Sequence, residues 1–179
     1  MKRKISLVTL LLLSVAWAVA VASLWANNIT PSSLNETVEA IQYPFELVLT
    51  LDKTTYRLGE PVNITLSLTN ISDENVKIGL AAGGDPKSQF DFLIYDGSND
   101  LIYRYSAHRG YYAGGPLVSL APSQSFTASH LWEQNDDDGG AVAEGKYFVV
   151  GRTYQIFYLD QPLSLETPRL EITIEKWTS

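Results

Sequence analysis

The chain contains no cysteine. That excludes disulfides, thiol catalysis, cysteine-ligated metals and lipid attachment through an N-terminal cysteine. Exported eukaryotic domains of this size often carry disulfides, so their absence points to a prokaryotic surface protein stabilised by its core alone. Histidine is nearly missing too: only His108 and His130 occur, and they do not form a zinc-type pair. A serine nucleophile would need one of them as its base, yet there is no Gly-x-Ser-x-Gly elbow, and the serines fall in turns or on polar strand faces. No glycine-rich phosphate cradle joins a strand to a helix. Paired carboxylates for glycoside hydrolysis need only meet in space. Glu133 beside Trp132 is the position that invites that reading, although a tryptophan at a strand end more often anchors a core. The sequence therefore predicts no catalytic residue, no metal and no cofactor.

Positive charge is also scarce, with 13 Lys and Arg against 20 Asp and Glu. Three of the 13 lie in the starting "MKRK", which leaves 10 against 20 beyond it, a net charge of about −10. Nucleic acid is excluded as a partner, because phosphate binding needs clustered Lys and Arg. After that basic start, residues 5–26 are uncharged and rich in Leu, Val and Ala. About 20 apolar residues suffice to cross a bilayer as a helix. Residues 1–26 are thus expected to be a transmembrane signal anchor, or a signal peptide cut at a small-x-small site such as Ala18-Val19-Ala20. With the basic flank inside, the expected location is the cell membrane, single-pass with the C-terminal domain outside, or secreted if the signal is cleaved.

Residues 27–42 are polar and read as a linker or stalk reaching about 50 Å when fully extended. Residues 43–179 fit one domain. Its strands show period-two alternation. In "FELVLTLD", Phe45, Leu47, Leu49 and Leu51 share a face. In "VNITLSLTN", Val62, Ile64, Leu66 and Leu68 oppose Asn63, Thr65, Ser67 and Thr69, and "LEITIE" repeats the pattern. Turn signals separate these runs, and seven to nine short strands are expected. The predicted class is all-β: an immunoglobulin-like antiparallel β-sandwich preceded by the N-terminal transmembrane or signal helix.

Two local patterns remain. "NDDDGG", Asn135–Gly140, packs its acids side by side rather than at the alternate positions of a calcium loop, so it reads as an acidic turn between strands. Four Asn-x-Ser/Thr sequons make Asn28, Asn35, Asn63 and Asn70 candidate glycosylation sites on an exported chain. Asn63 and Asn70 have a plainer reading as a polar strand residue and a turn residue.

The order of motifs resembles the BsuPI-type domain, named for a bacterial intracellular proteinase inhibitor. The resemblance rests on Thr69-Asn70, Asp91-Phe92, Tyr105-Ser106, Leu120-Ala121-Pro122, Trp132 and Gly145-Lys146-Tyr147, and spans roughly Leu58 to Tyr154. "LAPSQS" departs from the family's Leu-x-Pro-Gly-Glu turn, and Tyr105-Ser106 stands where Trp-Ser is frequent. The resemblance implies a non-catalytic, protein-binding sandwich and a serine protease as partner. It also places "NDDDGG" in a variable strand-to-strand loop. If inhibition is retained, an extended loop must meet the protease, and the candidate is "AHRGYYAGGPL", Ala107–Leu117. There Arg109, Tyr111 and Tyr112 have the composition of interface anchors, while the plainer reading of the same residues is a long glycine-bearing loop whose tyrosines fold back onto the sheet. The competing reading is a structural or accessory module of a cell-envelope assembly that inhibits nothing.

Overall fold

The structure is a computed structural model that describes residues 35–80, 86–108, 115–154 and 156–176. The chain divides after Leu34. The expected anchor at 1–26 and the first half of the expected linker, 27–34, lie outside the described residues. Among the described residues no helix is long and apolar enough to cross a membrane.

Among the described residues there are thirteen strands: β1 (Glu36–Gln42), β2 (Phe45–Leu51), β3 (Thr55–Arg57), β4 (Val62–Asn70), β5 (Val76–Leu80), β6 (Phe90–Asp96), β7 (Leu101–Arg104), β8 (Leu117–Leu120), β9 (Ser125–Trp132), β10 (Gly145–Thr153), β11 (Ile156–Tyr158), β12 (Gln161–Pro162) and β13 (Leu170–Glu175). Two 3₁₀ turns, Pro86–Gln89 and Tyr105–His108, flank β6 and β7. The strands form three sheets: β1-β2-β4-β9, then β3-β13-β10-β6-β7, then the smaller β12-β11-β5-β8. All pairings are antiparallel except β3 with β13. Among the described residues the fold is all-β with predominantly antiparallel sheets, as the alternation predicts.

The alternating residues fall where their period puts them. Phe45, Leu47, Leu49 and Leu51 of β2 and Val62, Ile64, Leu66 and Leu68 of β4 are completely buried. Burial of each such side chain contributes roughly 1.5–3 kcal/mol, and one continuous core joins Leu66 of the first sheet, Ile94 of the second and Ile78 of the third. The first two sheets pack face to face. Phe90 of β6 meets Phe126 of β9, with ring centroids 5.8 Å apart. Trp132 of β9 meets Tyr147 of β10 at 5.9 Å.

Two expectations need correction. Glu36–Gln42 belongs to the domain and not to the linker: it is β1, paired with β2 in register from Glu36↔Leu51 to Gln42↔Phe45. Its inward residues are only Val38 and Ala40, too few and too small to stand out among polar neighbours. The strand count also exceeds seven to nine, because β3, β11 and β12 have just two or three residues each and β1 lies in the stretch read as linker.

One close approach joins the facing sheets. A Cβ built on Gly151 of β10 would lie 2.2 Å from Leu66 Cδ2 and 2.8 Å from Leu66 Cγ. Leu66 is fully buried and has nowhere to retreat. Gly151→Ala should therefore lower the unfolding free energy by roughly 1–3 kcal/mol through overpacking, read by urea denaturation. In combination with Leu66→Ala the loss should be smaller than the sum of the single losses, because the two sites share one space.

Candidate functional site

The candidate loop Ala107–Leu117 leaves the second sheet after the 3₁₀ turn Tyr105–His108 and returns as β8. Arg109, Tyr111 and Tyr112 lie outside the described residues, but both flanks of the loop are on view. Ala107 is exposed on one side; Gly115, Pro116 and Leu117 are exposed on the other, with Leu117 at 74%.

The base of the loop is tied down by a buried charge. Asp91 of β6 has no exposed surface. Arg152 of β10, its cross-strand partner, donates from Nη2 to Asp91 Oδ2 at 2.7 Å. Ser106 donates from its backbone N–H to Asp91 Oδ1 at 2.9 Å and from Oγ to Oδ2 at 2.8 Å. Three donors thus replace the water that a buried carboxylate loses. Two of them belong to Ser106, in the turn that starts the loop.

An aromatic cluster packs beside this turn. The His130 ring lies 4.3 Å from Tyr105, 5.4 Å from Phe92 and 5.9 Å from Tyr103, centroid to centroid. Tyr103 Oη and His130 Nε2 are 3.0 Å apart. Along the neighbouring edge, Asn63, Lys87, Ser129, His130 and Leu131 line an open concavity of about 520 Å³. His130 is a half-buried member of this cluster. Its position next to Leu131 and Trp132 on an alternating strand is the signal that could have shown it.

"NDDDGG" is a turn, pinned to the edge of β7. Asp136 Oδ1 accepts from the amides of Asp138 at 3.0 Å and Gly140 at 2.7 Å. Gly139 adopts φ +84° to close the tip. Asp137 then behaves like one residue of an added strand. Its N–H donates to Ile102 O at 2.8 Å, and its Oδ1 accepts from Arg104 N at 2.8 Å. A strand edge otherwise open to pairing is thereby covered. No group of three His, Asp or Glu placed to hold a metal occurs among the described residues.

Trp132 is a core residue, 1% exposed, whose Nε1 donates to Asn135 O at 2.7 Å. It offers no stacking platform beside the exposed Glu133. Gln134 went unnoticed in the sequence, where a glutamine after a strand carries no pattern. It is 2% exposed and at φ +57°. Its Nε2 donates to Arg57 O and Glu60 O, and its Oε1 accepts from Gly59 N at 2.7 Å. In that turn, the Arg57 amide and the Lys53 ammonium hold the Glu60 carboxyl below its ordinary range.

The sequons separate structurally. Asn28 lies outside the described residues; Asn35 and Asn63 are exposed. Asn70 is completely buried. Its Nδ2 donates to Glu74 O at 2.7 Å and Leu120 O at 3.0 Å, while its Oδ1 accepts from Ser72 N and Ser72 Oγ. A glycan on Nδ2 would displace one of these bonds inside the fold, so Asn70 is a turn lock.

Comparison with family models places residues 49–154 in the BsuPI intracellular proteinase inhibitor family, over more than half of the chain. The chain belongs to this family. The match ends at Tyr154, as the motif order implies, and starts nine residues before Leu58. Asp91, Ser106, Trp132 and Arg152 all fall within it. No curated protein matches. Among solved structures, the chain is similar to the C-terminal domain of wzt, at 10% identity and TM-score 0.46 over 83% of each chain. It is also similar to a β-glucosidase from Listeria innocua, at 15% identity and TM-score 0.39, over 79% of this chain and 16% of that one. A third is the Pseudomonas fluorescens alkylpurine DNA glycosylase AlkC, at 12% identity and TM-score 0.37, over 73% and 30%.

Two outcomes are expected from these locks. Asp91→Ala removes the acceptor shared by Ser106 N–H, Ser106 Oγ and the half-buried Arg152 and should cost roughly 1–3 kcal/mol in urea unfolding. Glycopeptide mass spectrometry of the chain expressed in a host that glycosylates exported proteins should find Asn70 unmodified, and Asn70→Ala should cost roughly 1–3 kcal/mol by orphaning two carbonyls.

Proposed function

We propose that this domain is a non-catalytic, immunoglobulin-like protein-binding module that inhibits a serine protease outside the cytoplasm. The observation that carries the reading is the family match over residues 49–154, which takes in both flanks of the Ala107–Leu117 loop. The loop's base supports it. Binding with a loop that is already ordered avoids losing affinity to ordering, and the Asp91 cluster fixes the point at which this loop departs. Arg109, Tyr111 and Tyr112 are the residues assigned to the protease contact. The basic, apolar N-terminal segment supports tethering to the membrane, with glycans at Asn28, Asn35 and Asn63 on the outer side.

The test titrates the full chain, purified in detergent, against subtilisin-like and trypsin-like proteases, with gels to exclude simple digestion. Stoichiometric loss of protease activity is expected, weakened about tenfold or more by Arg109→Ala or by Tyr111→Ala with Tyr112→Ala. No inhibition by the intact chain across the panel would sink the reading.

A further inference from the structure

Away from the Ala107–Leu117 loop, the turn joining β11 to β12 has an unusual residue at its tip. Tyr158 pairs with Gln161, so Leu159 and Asp160 form a two-residue hairpin loop. Both have left-handed backbones, at φ +50° and +61°. Such turns favour Asn, Asp or Gly, because a larger side chain crowds its own backbone there. Asp160 suits its place and Leu159 does not. Strained leucines are normally repaid by burial, but Leu159 is 76% exposed. Strain with no packing return within the fold is a mark of a functional contact.

Leu159 has company. Tyr43, 72% exposed at the β1–β2 turn, lines the same concavity of about 260 Å³, floored by Pro44, Val76 and Tyr158. The floor is fixed from below, where Tyr158 meets Phe45 edge to face at 5.1 Å. Ile71, 40% exposed, joins this end through its N–H bond to Pro44 O at 2.9 Å. Around these apolar groups the exposed charges are Asp73, Glu74 and Asp160 against Lys77. Scattered exposed apolar residues are ordinary, but a cluster of them around a concavity with a charged rim marks a binding surface.

We propose that this end of the sandwich is a second docking site for the inhibited proteinase. It receives an apolar side chain flanked by lysine or arginine on that protein's surface. The proposal rests on the protein-binding reading above and adds a contact outside the Ala107–Leu117 loop. Leu159 cannot be presented like a substrate strand, whose backbone needs negative φ, so the site engages the proteinase away from its catalytic cleft.

The test uses the full chain and a subtilisin-like protease from the same panel. Leu159→Asn relieves the strained turn and should raise Tm by about 2–4 °C while weakening inhibition about tenfold or more. Tyr43→Ser should weaken inhibition similarly with little change in Tm. Glu74→Lys should weaken it at low salt and less at high salt, as expected for an exposed charge. Inhibition within about twofold of the parent chain for both Leu159→Asn and Tyr43→Ser would overturn this site and leave the function intact; a twofold change is under a third of a tenfold step in free energy. A lowered Tm for Leu159→Asn would make the leucine structural and overturn the strain argument. A concentration-dependent dimer of the parent chain, abolished by Leu159→Asn, would assign this end to a second copy and overturn the proposal. Failure of the parent chain to bind any protease would overturn both readings together.

Discussion

Asp91 is a carboxylate with no access to water, and the surrounding fold is arranged to hold it. Burial of an unpaired carboxylate is so unfavourable that the strands must align to supply its donors. The Arg152 contact fixes β6 against β10 in the register Asp91↔Arg152, so a slip of one residue would leave the charge alone. The two Ser106 bonds then require the chain leaving β7 to turn back at Tyr105–His108. Register, turn and loop exit thus form one coupled unit. A larger apolar residue at position 91 would not couple them, because apolar contacts set no direction.

The same logic explains how the domain holds its turns without disulfides. Three connections are each pinned by one buried polar side chain that bonds backbone elsewhere in the chain. Gln134 grips the β3–β4 turn across more than seventy residues. Asn70 joins the start of the β4–β5 loop to Leu120 at the end of β8. Thr153 Oγ donates to Leu163 O at 2.6 Å and accepts from Leu165 N at 2.9 Å, holding the chain that follows β12 against β10. These bonds are directional, and leaving any partner buried and unmet is unfavourable. They give the turns a specificity that apolar packing alone lacks.

How much of this could be read in advance follows from the physics of each signal. β2, β4 and β13 face a core on one side and water on the other, so their sequences alternate and their strands are legible. β6 is buried on both faces over Phe90–Ile94, and there the alternation vanishes. Asp91 sits inside that run and gives no sign that its partner is Arg152, because the pairing exists only once β10 lies alongside. The third sheet was illegible for another reason: β11 and β12 are too short to carry a period. The motif order reached Asp91, Ser106 and Trp132 as family positions without revealing what they bond. Gln134 left no trace at all, since nothing local distinguishes a glutamine that caps its own strand from one that grips a turn far away.

The distribution of the exposed surface bears on where a partner can attach. On the outer face of the first sheet, three cross-strand hydroxyl pairs run in register: Thr65–Ser129 at 2.9 Å, Ser67–Thr127 at 2.9 Å and Thr69–Ser125 at 2.8 Å. Each pair satisfies itself, which stabilises β4 against β9 and leaves little to reward a protein that dehydrates the face. The second sheet shields its outer side differently, with Arg169 laid over the Tyr95 ring at 4.3 Å. The parts of the faces covered by these contacts are therefore poor places to gain hydrophobic free energy. What remains is the rim, where Leu117 and Leu159 stand about three-quarters exposed on elements of the small third sheet and its hairpin. The proposed protease contacts draw on this exposed apolar rim, because the hydroxyl-paired part of the first sheet's face has already met its own bonding needs.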